Sequence, residues 1–227
     1  IVNSDTLTCS TTVTDPDESL TPTYTWSIDG STVGTGDSLD LSSIGANPQD
    51  VVVCTASVTD SQGDSASDTA SVSIDNRDPT VSGISITPST GITTSTTLSC
   101  TATVDDLDGE SLTPTYEWTN GGTTLGTSST LTLNPIDVSP TDSITCTVSV
   151  VDGYGENASD SVSVSVENTS PVFDVSAVVS PSFGVYTDTT LSCSGSASDA
   201  DGDTPTLTYE WTNSTHGTTL GTSSTLT

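Results

Sequence analysis

Acidic residues recur in this 227-residue chain at fixed distances from its cysteines. Six residues after Cys9, Cys100 and Cys193 stand Asp15, Asp106 and Asp199; eight residues after them stand Asp17, Asp108 and Asp201. An acid ten residues on, Glu110 or Asp203, completes an Asp-x-Asp-Gly-acid loop in the second and third copies. A further group follows the other two cysteines, Cys54 and Cys146, as Asp60 with Asp64 and Asp152 with Glu156. Carboxylates in this pattern suit a hard cation, because calcium takes six to eight oxygens from carboxylates, amides and carbonyls. Asp-Gly and Asp-Pro are equally ordinary turn formers, so the chemistry depends on whether the fold gathers separate loops.

Other chemistries lack their parts. The single histidine, His216, has no nucleophile and acid arranged around it as a Ser-His-Asp site needs. No CxxC and no Cys/His pair is present, so the cysteines do not read as zinc ligands. Paired carboxylates are what a glycosidase uses, but here they repeat along the chain in polar loops with few aromatic residues nearby. An active site is built once, and the expectation is a protein that is not an enzyme. Thirty acids against the lone cation Arg77 give a net charge of −29. Such a chain cannot replace the counterions of a nucleic acid and offers no basic face to an anionic membrane. No apolar run reaches the roughly 20 residues of a membrane-spanning helix.

The elements that must position the acids are strands. The sequence holds 40 Ser and 47 Thr, and only 30% of its residues are hydrophobic; Thr is β-branched and at home in sheets. Ala70-Ser71-Val72-Ser73-Ile74 and Ser161 to Val166 alternate with period two, which makes one face apolar and the other hydroxylated. Further strands are expected at 6–13, 23–28 and 51–58, with counterparts at 97–104, 115–119 and 143–150. Asp29-Gly30, Asn120-Gly121-Gly122 and Asp152-Gly153 mark turns between them. No stretch carries a helical apolar period of useful length.

These strands recur. Trp26 and Trp118 are 92 residues apart, as are Cys54 and Cys146, Asp60 and Asp152, Asn76 and Asn168, and Pro79 and Pro171. Trp211 follows Trp118 by 93. So many unlike residues at one offset imply tandem units of about 92 residues: residues 1–77 without their opening strand, 78–169 complete, and 170–227 stopping before their second cysteine. A window cut from a longer polypeptide is the expectation. The odd cysteine, Cys193, then has its partner beyond residue 227.

Short strands with a Cys…Trp…Cys order are the signature of immunoglobulin-like sandwiches. The units resemble the immunoglobulin-like, polycystic-kidney-disease-like and cadherin-like repeats of large prokaryotic surface proteins. Tyr24-Thr25-Trp26, Tyr116-Glu117-Trp118 and Tyr209-Glu210-Trp211 carry the resemblance, with the strand ends at Asp60 and Asp152 and the loop Asp201-Gly202-Asp203. Val52 and Ile144 stand where antibody-type domains place the tyrosine corner, and the polycystic-kidney-disease motif after the Trp is absent. The resemblance implies an all-β chain of tandem immunoglobulin-like sandwiches with one inter-sheet disulfide each, Cys9 with Cys54 and Cys100 with Cys146. It also implies an oxidising, extracellular setting.

In such a sandwich the two acidic loops share the end where the chain enters, beside the linker Asp75-Asn76-Arg77-Asp78-Pro79 or Glu167-Asn168-Thr169-Ser170-Pro171. Clustered carboxylates about 4 Å apart repel by several kcal/mol, and a divalent ion would convert that repulsion into a clamp. One calcium site per junction is expected: Asp75, Asp78, Asp106, Asp108 and Asp152 at the first, Glu167, Asp199, Asp201 and Asp203 at the second. Three sequons, at Asn157, Asn168 and Asn213, are candidate glycosylation sites, and sugar on Asn168 would exclude it as a buried ligand. The resemblance implies a structural stalk, fibre or sheath whose partners are other copies or neighbouring repeats. An adhesin binding a surface glycan or protein is the alternative.

Overall fold

The computed structural model describes residues 1–227. The chain is built from eighteen strands and one turn of helix. Residues 1–81 pack with 104–114 and 149–159 as one compact unit; residues 82–103, 115–148 and 160–227 form the other. The acidic loops that follow Cys100 and Cys146 therefore belong to the first unit.

Strands β1 (Thr6–Thr8), β2 (Thr23–Ile28), β3 (Ser31–Thr35), β4 (Ser38–Asp40), β5 (Val51–Thr59) and β6 (Ser65–Ser73) form two antiparallel sheets, ordered β1-β4 and β3-β2-β5-β6. Period-two patterning turns Val52, Cys54 and Ala56 of β5 inward, and Val52 and Cys54 join Leu7, Leu39 and Leu41 in one core cluster. Trp26 lies opposite Cys54 in the β2–β5 register, is 3% exposed, and donates its indole N–H to the Gly36 carbonyl at 2.9 Å. The tryptophan is core, and its polar edge is satisfied. The helical turn α1 (Leu41–Ile44) is capped by the Asp40 side chain, which accepts from Ser42 N, and ends at Gly45 in the left-handed region. Four residues are too few to leave a periodic signal, which is why the sequence showed no helix.

Strands β7 (Thr80–Thr87), β8 (Thr97–Asp105), β9 (Thr115–Asn120), β10 (Thr123–Gly126), β11 (Thr130–Thr132), β12 (Ser143–Val151) and β13 (Asn157–Ser165) form sheets ordered β11-β8-β7 and β10-β9-β12-β13. This two-sheet order, with Cys100 on β8 joined to Cys146 on β12, is an immunoglobulin-like sandwich pinned by an inter-sheet disulfide. Ile144, Cys146, Val148 and Val150 alternate inward along β12, and Trp118 on the neighbouring strand β9 is fully buried. The expected strand 6–13 shortens to Thr6–Thr8. Its counterpart β8 is nine residues long because it has a neighbour on each side, β7 and β11, whereas β1 pairs with β4 alone.

The last strands are β14 (Val172–Ser180), β15 (Leu191–Ser198), β16 (Trp211–Asn213), β17 (Thr218–Gly221) and β18 (Thr225–Leu226). They form a sheet ordered β14-β15-β18 and a β16-β17 hairpin. Cys9–Cys54 and Cys100–Cys146 are bonded as expected, each closing a loop of 45 or 46 residues, and Cys193 is a free thiol.

Candidate functional site

The end of β8 delivers Asp106, Asp108 and Glu110, and the end of β12 delivers Asp152. Each loop is shaped by its own leading aspartate. Asp152 Oδ1 accepts the backbone N–H groups of Tyr154, Gly155 and Glu156 at 2.9, 2.6 and 2.8 Å. Asp106 Oδ1 accepts Asp108 N at 2.7 Å. These are Asx turns, the local geometry that Asp favours. The same scaffold recurs earlier in the chain, where Asp60 Oδ1 takes Gln62, Gly63 and Asp64, and Asp15 Oδ1 takes Asp17 and Glu18.

A second contact ties the two loops together. Gly153 N donates to Glu110 Oε1 at 3.1 Å, as Ser61 N does to Glu18 Oε1 at 2.8 Å. A Cβ on Gly153 would stand 2.6 Å from that Glu110 oxygen, so the carboxylate lies in space that only glycine leaves open. Asp106, Glu110 and Asp152 thereby bring one carboxylate oxygen each to within 4.8 Å of one another.

The preceding linker lies on the same loops. Asn76 Nδ2 donates to Asp152 Oδ2 at 2.7 Å. Arg77 grips Asp108 from two directions: its backbone N–H meets Oδ2 at 2.7 Å, and its guanidinium meets Oδ1 through Nε at 2.9 Å. The Asp108 side chain is fully buried and that of Arg77 is 23% exposed. The guanidinium also reaches Asn3 Oδ1 and the Leu107 carbonyl. In the other unit Thr169, 92 residues after Arg77, repeats the grip with different atoms. Its N–H and hydroxyl both donate to Asp201 Oδ2, at 2.6 and 2.8 Å, while the buried Thr94 hydroxyl donates to Oδ1 at 3.1 Å.

Electrostatics follow these partners. Burial alone would raise the Asp152 carboxyl, but the Asn76 amide and the three backbone N–H groups outweigh it and hold the group below the usual carboxylate range. The Thr169 N–H foremost, with the Thr169 and Thr94 hydroxyls, does the same for Asp201 against its burial. Glu110 moves the other way: burial raises it, the Gly153 N–H opposes, and the charges of Asp106, Asp152 and Asp108 add to the rise.

The structure distributes the expected calcium ligands unevenly. Asp106 and Asp152 meet, and Glu110 completes their group. Asp108 faces Arg77, Asp75 faces the amino group of Ile1 at 2.9 Å, and Asp78 is exposed. At the second junction Asp199 and Asp201 share Thr169, Glu167 accepts Gly91 N at 2.7 Å, and Asp203 is exposed. Asn76, Arg77 and Glu110 are the site residues absent from the ligand sets expected from sequence. Glu110 carried a signal, its place ten residues after Cys100. Of the sequons, Asn157 and Asn168 are exposed, and Asn213 is half-buried with its Oδ1 accepting Thr215 N at 3.0 Å.

No family model matches the chain, and no curated protein matches it. Among solved structures, the three N-terminal domains of the bacteriophage RB49 highly immunogenic outer capsid protein (Hoc) align over 98% of this chain and 76% of that one. The identity is 19% and the TM-score 0.29. The fold assignment rests on the strand order and the inter-sheet bridges described above.

Proposed function

We propose that this chain is part of an extracellular structural protein, a repetitive stalk, fibre or sheath at the cell surface whose partners are further copies or repeats of the same kind. One observation carries the reading. The linker residue at 77 and its counterpart at 169 both donate a backbone N–H to the aspartate eight residues after the next cysteine, at 2.7 and 2.6 Å. A linker hydrogen-bonded to the loops that follow it resists bending, whereas a Gly/Ser linker would leave successive modules free. The two disulfides support the extracellular part, since such bonds persist in oxidising compartments. The hydroxyl-rich outer faces of β6 and β13 suit a surface exposed to water along its length.

The test is electron microscopy of the purified chain, with scattering profiles of chains carrying different numbers of repeats. Filaments, or a maximum dimension that grows linearly with repeat number, are expected. Compact particles whose size is insensitive to repeat number would overturn the reading.

A further inference from the structure

The Asp108 side chain apart, four residues that are polar or charged are buried in this chain: Thr94, Asp106, Asp152 and Asp201. Three are carboxylates, and all three lie in the acidic loops. Asp152 and Asp201 have donors on both oxygens. Asp106 is the exception. It is 7% exposed, its Oδ1 accepts Asp108 N, and its Oδ2 is buried with no hydrogen-bond partner. The other buried side-chain oxygens left without partners belong to Glu110, through Oε2, and Asn76, through Oδ1. The three orphaned atoms fall on residues of one cluster: Glu110 stands with Asp106 and Asp152, and the Asn76 amide is bonded to Asp152.

An unpaired buried carboxylate oxygen is expensive, and adjacent negative groups add to the cost. The nearest cation does not relieve it, because Arg77 is engaged by Asp108, Asn3 and the Leu107 carbonyl. The geometry points to a divalent cation site of calcium's class, formed by Asp106, Glu110 and Asp152 with the Asn76 amide oxygen. Calcium–oxygen distances of 2.3–2.6 Å allow two ligands of one ion to be as far as about 5 Å apart. The three carboxylate oxygens, within 4.8 Å of one another, meet that limit. Three carboxylates and an amide suit calcium better than magnesium, which keeps most of its water and takes one or two carboxylates.

The site deepens the reading of a fastened joint and rests on it for its purpose: the ion would join two loops to the linker through Asn76. The exposed linker carboxylates Asp75 and Asp78 take no part, and Asp108 is reserved for Arg77. Junction two lacks an orphaned buried oxygen, so the chain holds one such site and not two.

The experiment is calorimetric titration of calcium chloride into the full chain after chelator treatment at neutral pH, with melting curves alongside. One saturable site is expected. Asp106→Asn and Glu110→Gln should each weaken it about tenfold or more, while Asp78→Asn leaves it unchanged. Glu110→Gln removes a like charge and keeps the shape, so it decides the matter even if Asp106→Asn folds poorly. No saturable binding overturns the assignment, and so does binding that Glu110→Gln does not alter. A third outcome also overturns it: wild-type melting that ignores calcium but rises toward acid, with the rise lost in Glu110→Gln, would mean that a shared proton satisfies the carboxylates. A chain that binds no calcium yet forms filaments loses this site and keeps the structural reading; one that binds calcium but never elongates does the reverse.

Discussion

Gly153→Ala tests the cation site without changing charge. Gly153 is not in the left-handed region, so its backbone accepts a side chain, and its φ imposes no strain on alanine. Restricting the unfolded chain would even stabilise by roughly 0.4–1 kcal/mol. The new Cβ, however, would stand 2.6 Å from Glu110 Oε1. Carbon and oxygen without a bond between them sit beyond 3 Å, so the carboxylate swings aside and loses the Gly153 N–H. These effects oppose each other, and the chelated variant should melt close to the wild type. Calcium should separate them. At a hundredfold excess over Kd the ion stabilises the wild type by about 2.7 kcal/mol. If displacing one ligand weakens binding about thirtyfold, the same calcium concentration gives roughly 0.9 kcal/mol. The lost 1.8 kcal/mol, again approximate, corresponds to about 7 °C or more for a unit of this size. The assay is scanning calorimetry of both proteins in chelator and across a calcium series. Equal lowering of Tm in chelator and in calcium would refute the reasoning, because it would make Gly153 a packing residue alone.

The other outcomes concern the bridge, the titrating carboxylates and the core. Removing the Cys100–Cys146 bridge by paired Ser substitution should cost about 4 kcal/mol on the chain-entropy model for a 46-residue loop; an unchanged denaturant midpoint would show that the core does not need the bridge. Asp152 and Asp201, held below the usual carboxylate range, contribute stability that is complete above the unfolded value and is lost as pH falls through their depressed folded values. Glu110 has the opposite sign, since its raised group costs stability as pH rises through the folded value; the melting advantage of Glu110→Gln over wild type in chelator should therefore grow from acid to neutral pH and stay flat if the sign is wrong. Trp118→Phe should cost roughly 1–3 kcal/mol by leaving the Ser128 carbonyl without its 2.8 Å indole donor and opening space in the core, and a loss under about 0.5 kcal/mol would contradict the core role.

Much of this architecture was legible because it is periodic. Alternation along Ile144, Cys146, Val148 and Val150 specifies a strand with one buried face, and the Cys…Trp…Cys order specifies which strands a bridge must join. The acidic loops were legible as loops. Their internal allegiances were not, because those depend on where side chains point once the backbone has turned. Asp106 and Asp108 are two residues apart, yet one faces Glu110 and Asp152 while the other faces Arg77. Spacing cannot separate them. Gly153 likewise reads as half of a turn signal, while in the structure it makes room for a carboxylate from another loop.

The one cation of the chain explains why the two junctions differ. Arg77 and Thr169 are 92 residues apart in sequence, and each offers a backbone N–H to an aspartate eight residues after a cysteine, Asp108 or Asp201. Thr169 adds a hydroxyl and Thr94 another, so Asp201 is satisfied by neutral donors alone. At Asp108 the linker instead supplies a charge, and the guanidinium spans Asp108, Asn3 and the Leu107 carbonyl. Charge-assisted bonds of this kind are stronger than neutral ones, but a single Arg neutralises a single carboxylate. The three acids beside it keep their own repulsion. A junction fastened by Thr has no such surplus, since its buried carboxylate is covered on both oxygens. The need for an external ion thus falls on the Arg junction, where acids outnumber donors, and exchanging Arg77 for Thr should leave that need intact: calcium binding at Asp106, Glu110 and Asp152 should survive Arg77→Thr in the same titration, and its disappearance would show that the guanidinium helps to build the site.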